Sequence, residues 1–286
     1  MSNKRAALLV VNPSRSEAIE AATILVDLLS DANFELFTTT DLSIEGVSNC
    51  SIETLPVVEV AVVLGGDGTI LRGAELTRTL NIPLLGINIG HVGFMAEVTR
   101  PEISEVAKSV IDKSYVLDSR MVLAYEVVRA GKVINSGWAL NEVTVERQFT
   151  TMVELFVQID GRPLSRWGCD GLIASTPTGS TAYAFSAGGP VLWPEVEALV
   201  LLPISAHALF ARPMVISPQS EIVVEIQSNE ALLSADALRK FPLIAGDHVR
   251  ITRDTSKILL SHMVAKTFTD RLVAKFKLPV EGWRGE

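Results

Sequence analysis

Residues 62–73, VVLGGDGTILRG, set one carboxylate, Asp67, among Gly65, Gly66 and Gly68. An apolar run precedes it and a helical pattern follows, so it stands at the mouth of a buried strand that turns into a helix. In open α/β sheets ligands gather beyond the carboxyl ends of strands, where backbone amides and helix amino ends converge. Glycines there permit positive φ and remove Cβ atoms, which lets a phosphate or ribose approach the main chain. A carboxylate is a poor neighbour for phosphate. It suits instead a hydroxyl that must lose its proton, or a metal. The same residues also suit a plain helix start, with Asp67 as the cap and Gly68 in the first turn.

Residues 170–191, DGLIASTPTGSTAYAFSAGGPV, hold a second concentration of chemistry. Ser175, Thr176, Thr178, Ser180, Thr181, Tyr183 and Ser186 lie among small residues and glycines. Short hydroxyls and open amides suit a sugar and a pyrophosphate. An ordinary Ser/Thr-rich turn before a strand would use the same residues. Other signatures are missing from the sequence. There is no G-x-x-x-x-G-K-[ST] loop, and both GGDGTILRG and GINIGHVG miss G-x-G-x-x-G. AFSAG is not the nucleophile elbow G-x-S-x-G, so serine hydrolysis has no support.

The elements that must carry these loops follow from hydrophobic spacing. RAALLVV predicts a buried strand, Asn12-Pro13 a turn, and Ala18, Ala21, Ala22, Leu25 and Leu28–Leu29 a helix. EVAVVLGG and IPLLGINIG predict further buried strands on either side of the helix DGTILRGAELTRTLN. Strands alternating with helices imply a parallel, doubly wound sheet for roughly the first third. After the helix RPEISEVAKSVID the pattern changes. In MVLAYEVVRAGKVINSGWALNEVTVER apolar residues alternate around a hairpin turn at Ala130-Gly131-Lys132, and TMVELFVQIDGRPL and EIVVEIQS continue the theme. A domain boundary is expected near residues 115–120, giving an α/β domain over 1–120 and a β-rich domain over 121–286.

The chain of 286 residues is long enough for two modest cores. It is 48% hydrophobic and carries a formal charge of −8, which argues against nucleic acid as a partner. Cys50 and Cys169 form no C-x-x-C pair, so a zinc site or disulfide framework is not expected and a reducing cytoplasm fits. AALLVV is too short for a membrane span and lacks a cleavage pattern. The expectation is a soluble cytoplasmic protein with no membrane partner.

LGGDGTILR, GINIGHVGF, NEVTVER, DGLIASTPTGSTAYAFSAGGP and ISAHALFARPMVI, in this order over about residues 60–216, resemble the NAD kinase family. SAGGPVLWPEVEALVLLPISAHALFARP is similar to its actinobacterial branch. The resemblance implies a Rossmann-like amino-terminal domain and a β-sandwich carboxy-terminal domain with the active site between them; in several members a carboxy-terminal segment packs back on the first domain. It implies transfer of a phosphoryl group from ATP or polyphosphate, with Mg²⁺, to the 2′-hydroxyl of the adenosine ribose of NAD. Homodimers or homotetramers are usual in the family. Asp67 matches the base, Gly68 meets the ribose by backbone, and Arg72 reaches a phosphate. Asn141 and Glu142 match the pair that holds the adenosine half. Thr181, Ala182, Tyr183 and Ser186 match the segment lining the NAD pocket, and Asp170 a carboxylate at the nicotinamide end. Phe94 is a candidate wall for adenine, and His91 and His207 are expected to be structural.

Two positions depart from the family pattern. Many members carry Asp-Gly or Asp-Ser and then Gln or Arg where this chain has SADALRKFPL, with Ala237 and Leu238; Asp236 is therefore a further candidate. Gly168, where some relatives have a basic residue, brings no charge to separate NAD from NADH, so both are expected as substrates. A lipid kinase shares the glycine-Asp-glycine motif but should lack STPTGSTAY, which this chain has. A sensor without turnover is disfavoured because Asp67, Asn141 and Glu142 are all present.

Overall fold

The computed structural model describes residues 4–89, 95, 103–228, 230–263 and 267–280. The chain divides into two compact units, Met1–Ser119 with Ile258–Glu286, and Arg120–Lys257. The second unit thus stops short of the expected 286.

In the first unit β1 (Arg5–Val11) leads through α1 (Ser16–Asp31) to β2 (Phe34–Thr38) and the short β3 (Val47–Asn49). Then come β4 (Val60–Leu64), α2 (Asp67–Thr77), β5 (Leu84–Ile87) and α3 (Ile103–Asp112). These strands pair in parallel in the order β5-β4-β1-β2-β3. Every residue of β4 is buried, as are six of the seven in β1. That is why they read as unbroken apolar runs rather than alternating ones. Ala18, Ala22, Leu25 and Leu29 form the buried face of α1 and pack with Leu9, Val62, Leu85 and Val106 in one cluster. Each such Leu or Val contributes about 1.5–3 kcal/mol by leaving water.

The second unit is antiparallel. It contains β6 (Val116–Arg129, entering from the first unit), β7 (Lys132–Ala139), β8 (Glu142–Arg147), β9 (Val153–Ile159), β10 (Arg162–Cys169) and β11 (Gly171–Ser175). A 3-10 turn at Gly179–Thr181 and the four-residue α4 (Tyr183–Ser186) precede β12 (Leu199–Ile204), β13 (Met214–Ile216), β14 (Ile222–Ser228), β15 (Ala231–Ala235) and β16 (Arg239–Leu243). One sheet runs β13-β12-β11-β8-β15-β16. The other contains β10-β9-β14 and β6-β7. Alternate residues of both, such as Leu155 and Val157, Val143 and Val145, and Leu199 and Leu201, share one core with Trp167. This is the expected β-sandwich, and the period-two pattern is its sequence trace. The hairpin at Ala130-Gly131 forms with both residues at positive φ, 49° and 77°.

The last long strand, β17 (His248–His262), begins beside β14 in the second unit, while its Leu260 and Ser261 pair with Leu84 and Leu85 of β5 in the first. α5 (Phe268–Phe276) follows, with a capping box at Thr267 and Asp270. Among the described residues no helix is long and apolar enough to cross a membrane.

Candidate functional site

In the first unit the strand order reverses between β1 and β4: β2 and β3 lie on one side of β1, and β4 and β5 on the other. That switch point is where doubly wound sheets leave a crevice at their carboxyl ends. The loops that leave β1 and β4 there are Asn12-Pro13 and Gly65-Gly66, and they are tied together. Asn12 N–H donates to the Leu64 carbonyl and Gly65 N–H to that of Ile87, each at 3.0 Å.

Gly66 is the N-cap of α2, with φ −87° and ψ −175°, and Asp67 is the first helical residue. No side chain caps this end. Asp67 is therefore not the cap, and its carboxylate lies in the first turn, where the helix dipole favours negative charge. Gly65, Gly66 and Gly68 do not use the positive φ open to them, since none is among the residues with positive φ. Space decides Gly65: a Cβ there would collide with the Thr69 side chain, whereas Gly66 and Gly68 have nothing within 4 Å. Gly73 lets α2 lie close on the sheet, because a Cβ would stand 2.7 Å from Val63 and 2.9 Å from Leu84. Arg72 is exposed on the next turn and lines a cleft of about 620 Å³ with Asn12, Thr40 and Leu76.

The second unit gathers the other candidates around the start of β8. Asn141 and Glu142 are buried, and the Leu140–Glu142 corner is held by Asp236. The Asp236 carboxylate accepts from Leu140 N–H at 2.8 Å, Asn141 N–H at 2.7 Å and Glu142 N–H at 3.3 Å. Arg239 pairs with it at 2.8 Å, donates to the Trp138 carbonyl at 3.0 Å and stacks 4.2 Å from the Trp138 ring centre. Asp236 and Ala237 turn the β15–β16 hairpin with φ of 53° and 57°. Asp236 thus braces the Asn-Glu corner through its backbone.

The segment 175–180 clasps the same corner. Thr176 N–H and Ser175 Oγ donate to the Asn141 carbonyl at 2.9 Å and 3.1 Å, and Thr176 Oγ1 to that of Leu140 at 2.6 Å. Gly179 is forced by proximity, since a Cβ would collide with the Asn141 carbonyl. Ser180 Oγ accepts from Leu192 N–H at 2.9 Å and donates to Pro177 O at 2.7 Å. The reading of these hydroxyls as ligand groups is corrected for Ser175, Thr176 and Ser180. All three are fully buried and spend their hydrogen bonds on the backbone of the loop and of the Leu140–Asn141 corner.

Four candidates in this segment remain accessible: Thr181 and Ala182 are half-buried, and Tyr183 and Ser186 are exposed. The Tyr183 hydroxyl donates to Glu146 Oε2 at 3.0 Å, and Thr144 donates to Glu146 Oε1 at 2.7 Å. Partial desolvation of its hydroxyl, and then the Glu146 carboxylate, push the phenol of the otherwise exposed Tyr183 to about 12, so it stays a donor. Asp170 pairs with Arg147 at 2.9 Å.

Glu142 carries the strongest electrostatics. Burial first, then the Asp236 carboxylate, raise it to about 8, against the pull of the Tyr183 amide. Burial raises Asp236 to about 6, opposed by its three amide donors. At neutral pH the pair therefore holds Asp236 ionised beside Arg239 and Glu142 largely protonated. Glu142 Oε2 is buried without a hydrogen-bond partner. A neutral carboxyl of this kind can donate to or accept from a hydroxyl.

The candidates thus fall into two sets, Asp67, Gly68 and Arg72 in the first unit, and Asn141, Glu142, Asp170, Thr181, Ala182, Tyr183 and Ser186 in the second. Phe94 and His91 lie outside the described residues. Sequence reasoning missed Glu146 and Arg147 as partners, although both close the stretch NEVTVER already singled out; Arg239 lies in SADALRKFPL, where a polar contact was looked for.

The fold is shared with two solved kinases. The whole chain aligns with 91% of a yeast NADH kinase, whose crystal structure holds NADH, at a TM-score of 0.88 and 23% identity. It aligns over 97% of its length with all of an NAD kinase from Archaeoglobus fulgidus, solved with ATP, at a TM-score of 0.73 and 24% identity. Residues 7–115 match the ATP-NAD kinase N-terminal domain and residues 140–263 the ATP-NAD kinase C-terminal domain. An NAD kinase of Mycobacterium bovis is 43% identical, with both chains covered in full. One of Thermobifida fusca is 42% identical over 99% of this chain and 93% of its own. The chain belongs to the NAD kinase family.

Proposed function

We propose that this protein is an NAD kinase, a phosphotransferase that makes NADP. The observation that carries the reading is the match of both units to one family, with relatives above 40% identity over nearly the whole chain. In the reaction the 2′-hydroxyl of the adenosine ribose attacks the terminal phosphorus of the donor. An O–P bond forms, the bond to the leaving phosphate breaks, and the hydroxyl proton passes to Asp67. Its place in the first turn of α2, just beyond β4, supports that role. Such a base contributes about 10²–10⁴-fold, or roughly 3–5 kcal/mol of barrier. Gly68 offers its backbone to the ribose, and Arg72 answers a phosphate.

Asn141 and Glu142 hold the adenosine half, with the unpartnered Oε2 of Glu142 meeting a ribose hydroxyl. Thr181, Ala182, Tyr183 and Ser186 line the dinucleotide, and Asp170 serves its nicotinamide end. Gly168 adds no charge there, and a Cβ would find only Met152 at 3.9 Å; NADH is accepted with NAD. The donor is ATP or polyphosphate. Mg²⁺ would accompany the donor oxygens as part of that substrate and offset their charge. The enzyme works in the cytoplasm as a homodimer or homotetramer.

A coupled assay for NADP tests the reading. Asp67→Asn should keep NAD affinity within a few-fold and cut turnover about 10²–10⁴-fold. Near-normal turnover in that variant would remove Asp67 from the chemistry.

A further inference from the structure

The turn that leaves β1 breaks a local rule. Arg15 is the N-cap of α1, at φ −122° and ψ 114°, and its carbonyl accepts from Ala18 N–H at 3.1 Å and Ile19 N–H at 3.3 Å. That position favours Ser, Thr, Asp or Asn, whose short side chains turn back to the open amides, and the helix dipole there favours negative charge. Arginine offers neither, and no side chain caps α1. Ser16, the next residue, donates its hydroxyl to Glu17 Oε2 at 3.5 Å instead.

The guanidinium is used elsewhere. Its Nη1 donates to the Ile89 carbonyl at 2.9 Å, across 74 positions of chain. Ile89 is buried and stands just beyond β5, in the loop that leaves that strand. Arg15 therefore joins the loop after β1 to the loop after β5. β4 is the strand between those two, and its own loop leads through Gly65 and Gly66 to Asp67. Main-chain bonds already tie β4 on both sides, from Asn12 N–H to the Leu64 carbonyl and from Gly65 N–H to the Ile87 carbonyl, each at 3.0 Å. The Arg15 bond closes the ring. The turn that carries it is itself firm, with Arg15 N–H donating to the Asn12 carbonyl at 3.3 Å and Ser14 N–H to Asn12 Oδ1 at 3.0 Å.

Resting on the reading of Asp67 as the base, we infer that Arg15 is a positioning residue for phosphoryl transfer: its bond to Ile89 fixes the loops on either side of the Asp67 turn, and so holds that carboxylate at the sugar hydroxyl. Arg15 touches no reacting atom. A charged donor grips a carbonyl more firmly than a neutral amide does. A general base works only within hydrogen-bond reach of its proton, and a displacement of about 1 Å can cost about 10²-fold in rate. A residue poorly suited to its local position is thus kept for a bond that only the tertiary structure supplies.

Steady-state kinetics of NADP formation by the full chain, with NAD and ATP each varied, test this beside thermal melts. Arg15→Ser removes the guanidinium and supplies a good cap. It should lower kcat about tenfold or more and leave both KM values within about threefold. Its melting temperature should stay within about 3 °C of wild type or rise above it, because the new cap offsets the lost bond. Arg15→Lys keeps a cationic donor for a single bond and should return kcat to within about threefold of wild type. Amide hydrogen exchange without substrates should quicken in Arg15→Ser over residues 62–68 and 84–89 and stay unchanged over β2. A kcat within about twofold of wild type in Arg15→Ser, or an unchanged exchange pattern, overturns the inference. So does a KM for ATP raised about tenfold at unchanged kcat, since Arg15 would then bind the donor itself. Near-normal turnover in Asp67→Asn removes the base and this inference with it. A slow Asp67→Asn beside a normal Arg15→Ser removes the inference alone.

Discussion

Removing the Asp236 carboxylate should cost far more than an average core substitution, because one side chain serves four donors. Asp236→Ala leaves the amides of Leu140, Asn141 and Glu142 without their acceptor in a region closed to water. Each buried donor so orphaned costs about 1–3 kcal/mol, and the 3.3 Å bond of Glu142 counts least. Arg239 loses its partner but keeps the Trp138 carbonyl and ring. Against these losses, the cost of burying the Asp236 carboxylate disappears. The balance is a destabilisation of about 3–5 kcal/mol, a large share of a typical stability of about 5–15 kcal/mol. Asp236→Asn should recover little, because its amide would point hydrogens at Leu140 N–H and Arg239. Guanidinium unfolding at neutral pH, followed through Trp138 and Trp167 of the second unit, measures the effect. A loss below about 1 kcal/mol with an unchanged m-value would refute the bracing role.

The raised pKa of Glu142 makes stability depend on pH. The folded chain keeps that proton up to about 8 while the unfolded chain releases it near 4.5, so its contribution is complete below 4.5 and lost as pH rises toward 8. Glu142→Gln should flatten that decline, as read from denaturation midpoints between about pH 5 and pH 8. Ala237→Gly should stabilise the chain by about 0.5–1 kcal/mol, because a residue at φ 57° no longer carries a Cβ; a lower melting temperature would contradict it. Gly179→Ala should destabilise by about 2–3 kcal/mol through the Asn141 carbonyl, whereas Gly168→Ala, with Met152 at 3.9 Å, should stay within about 0.5 kcal/mol. Parallel thermal melts compare the two.

Much of the fold was legible because burial writes itself into spacing. β1 and β4 are covered on both faces and so read as unbroken apolar runs; β6, β9 and β14 are covered on one face and so alternate. β3 left no trace, being three residues long with none buried. The β15–β16 turn was obscure for another reason. Asp236 and Ala237 adopt the left-handed region without the glycine that usually marks it. The loop at 170–191 was conspicuous by composition, but composition does not tell a hydroxyl that meets a ligand from one that closes its own turn. Ser175 and Ser186 look alike in the chain, yet one is fully buried and the other exposed.

The amino-acid sequence by itself determined the α/β and β-rich halves and singled out Asp67, because periodicity and glycine placement are local properties; the Asn-Glu pair stood out only through the family resemblance. Tertiary structure alone decided that Asp236 serves the backbone of residues 140–142, that Leu260 and Ser261 join β5, and that burial raises the Glu142 carboxyl. Each depends on groups far apart in the chain. Asp236 and Asn141 are separated by 95 positions, and no spacing rule spans that distance. Strand register brings them within 2.7 Å, and burial then sets the strength of the charges that meet there.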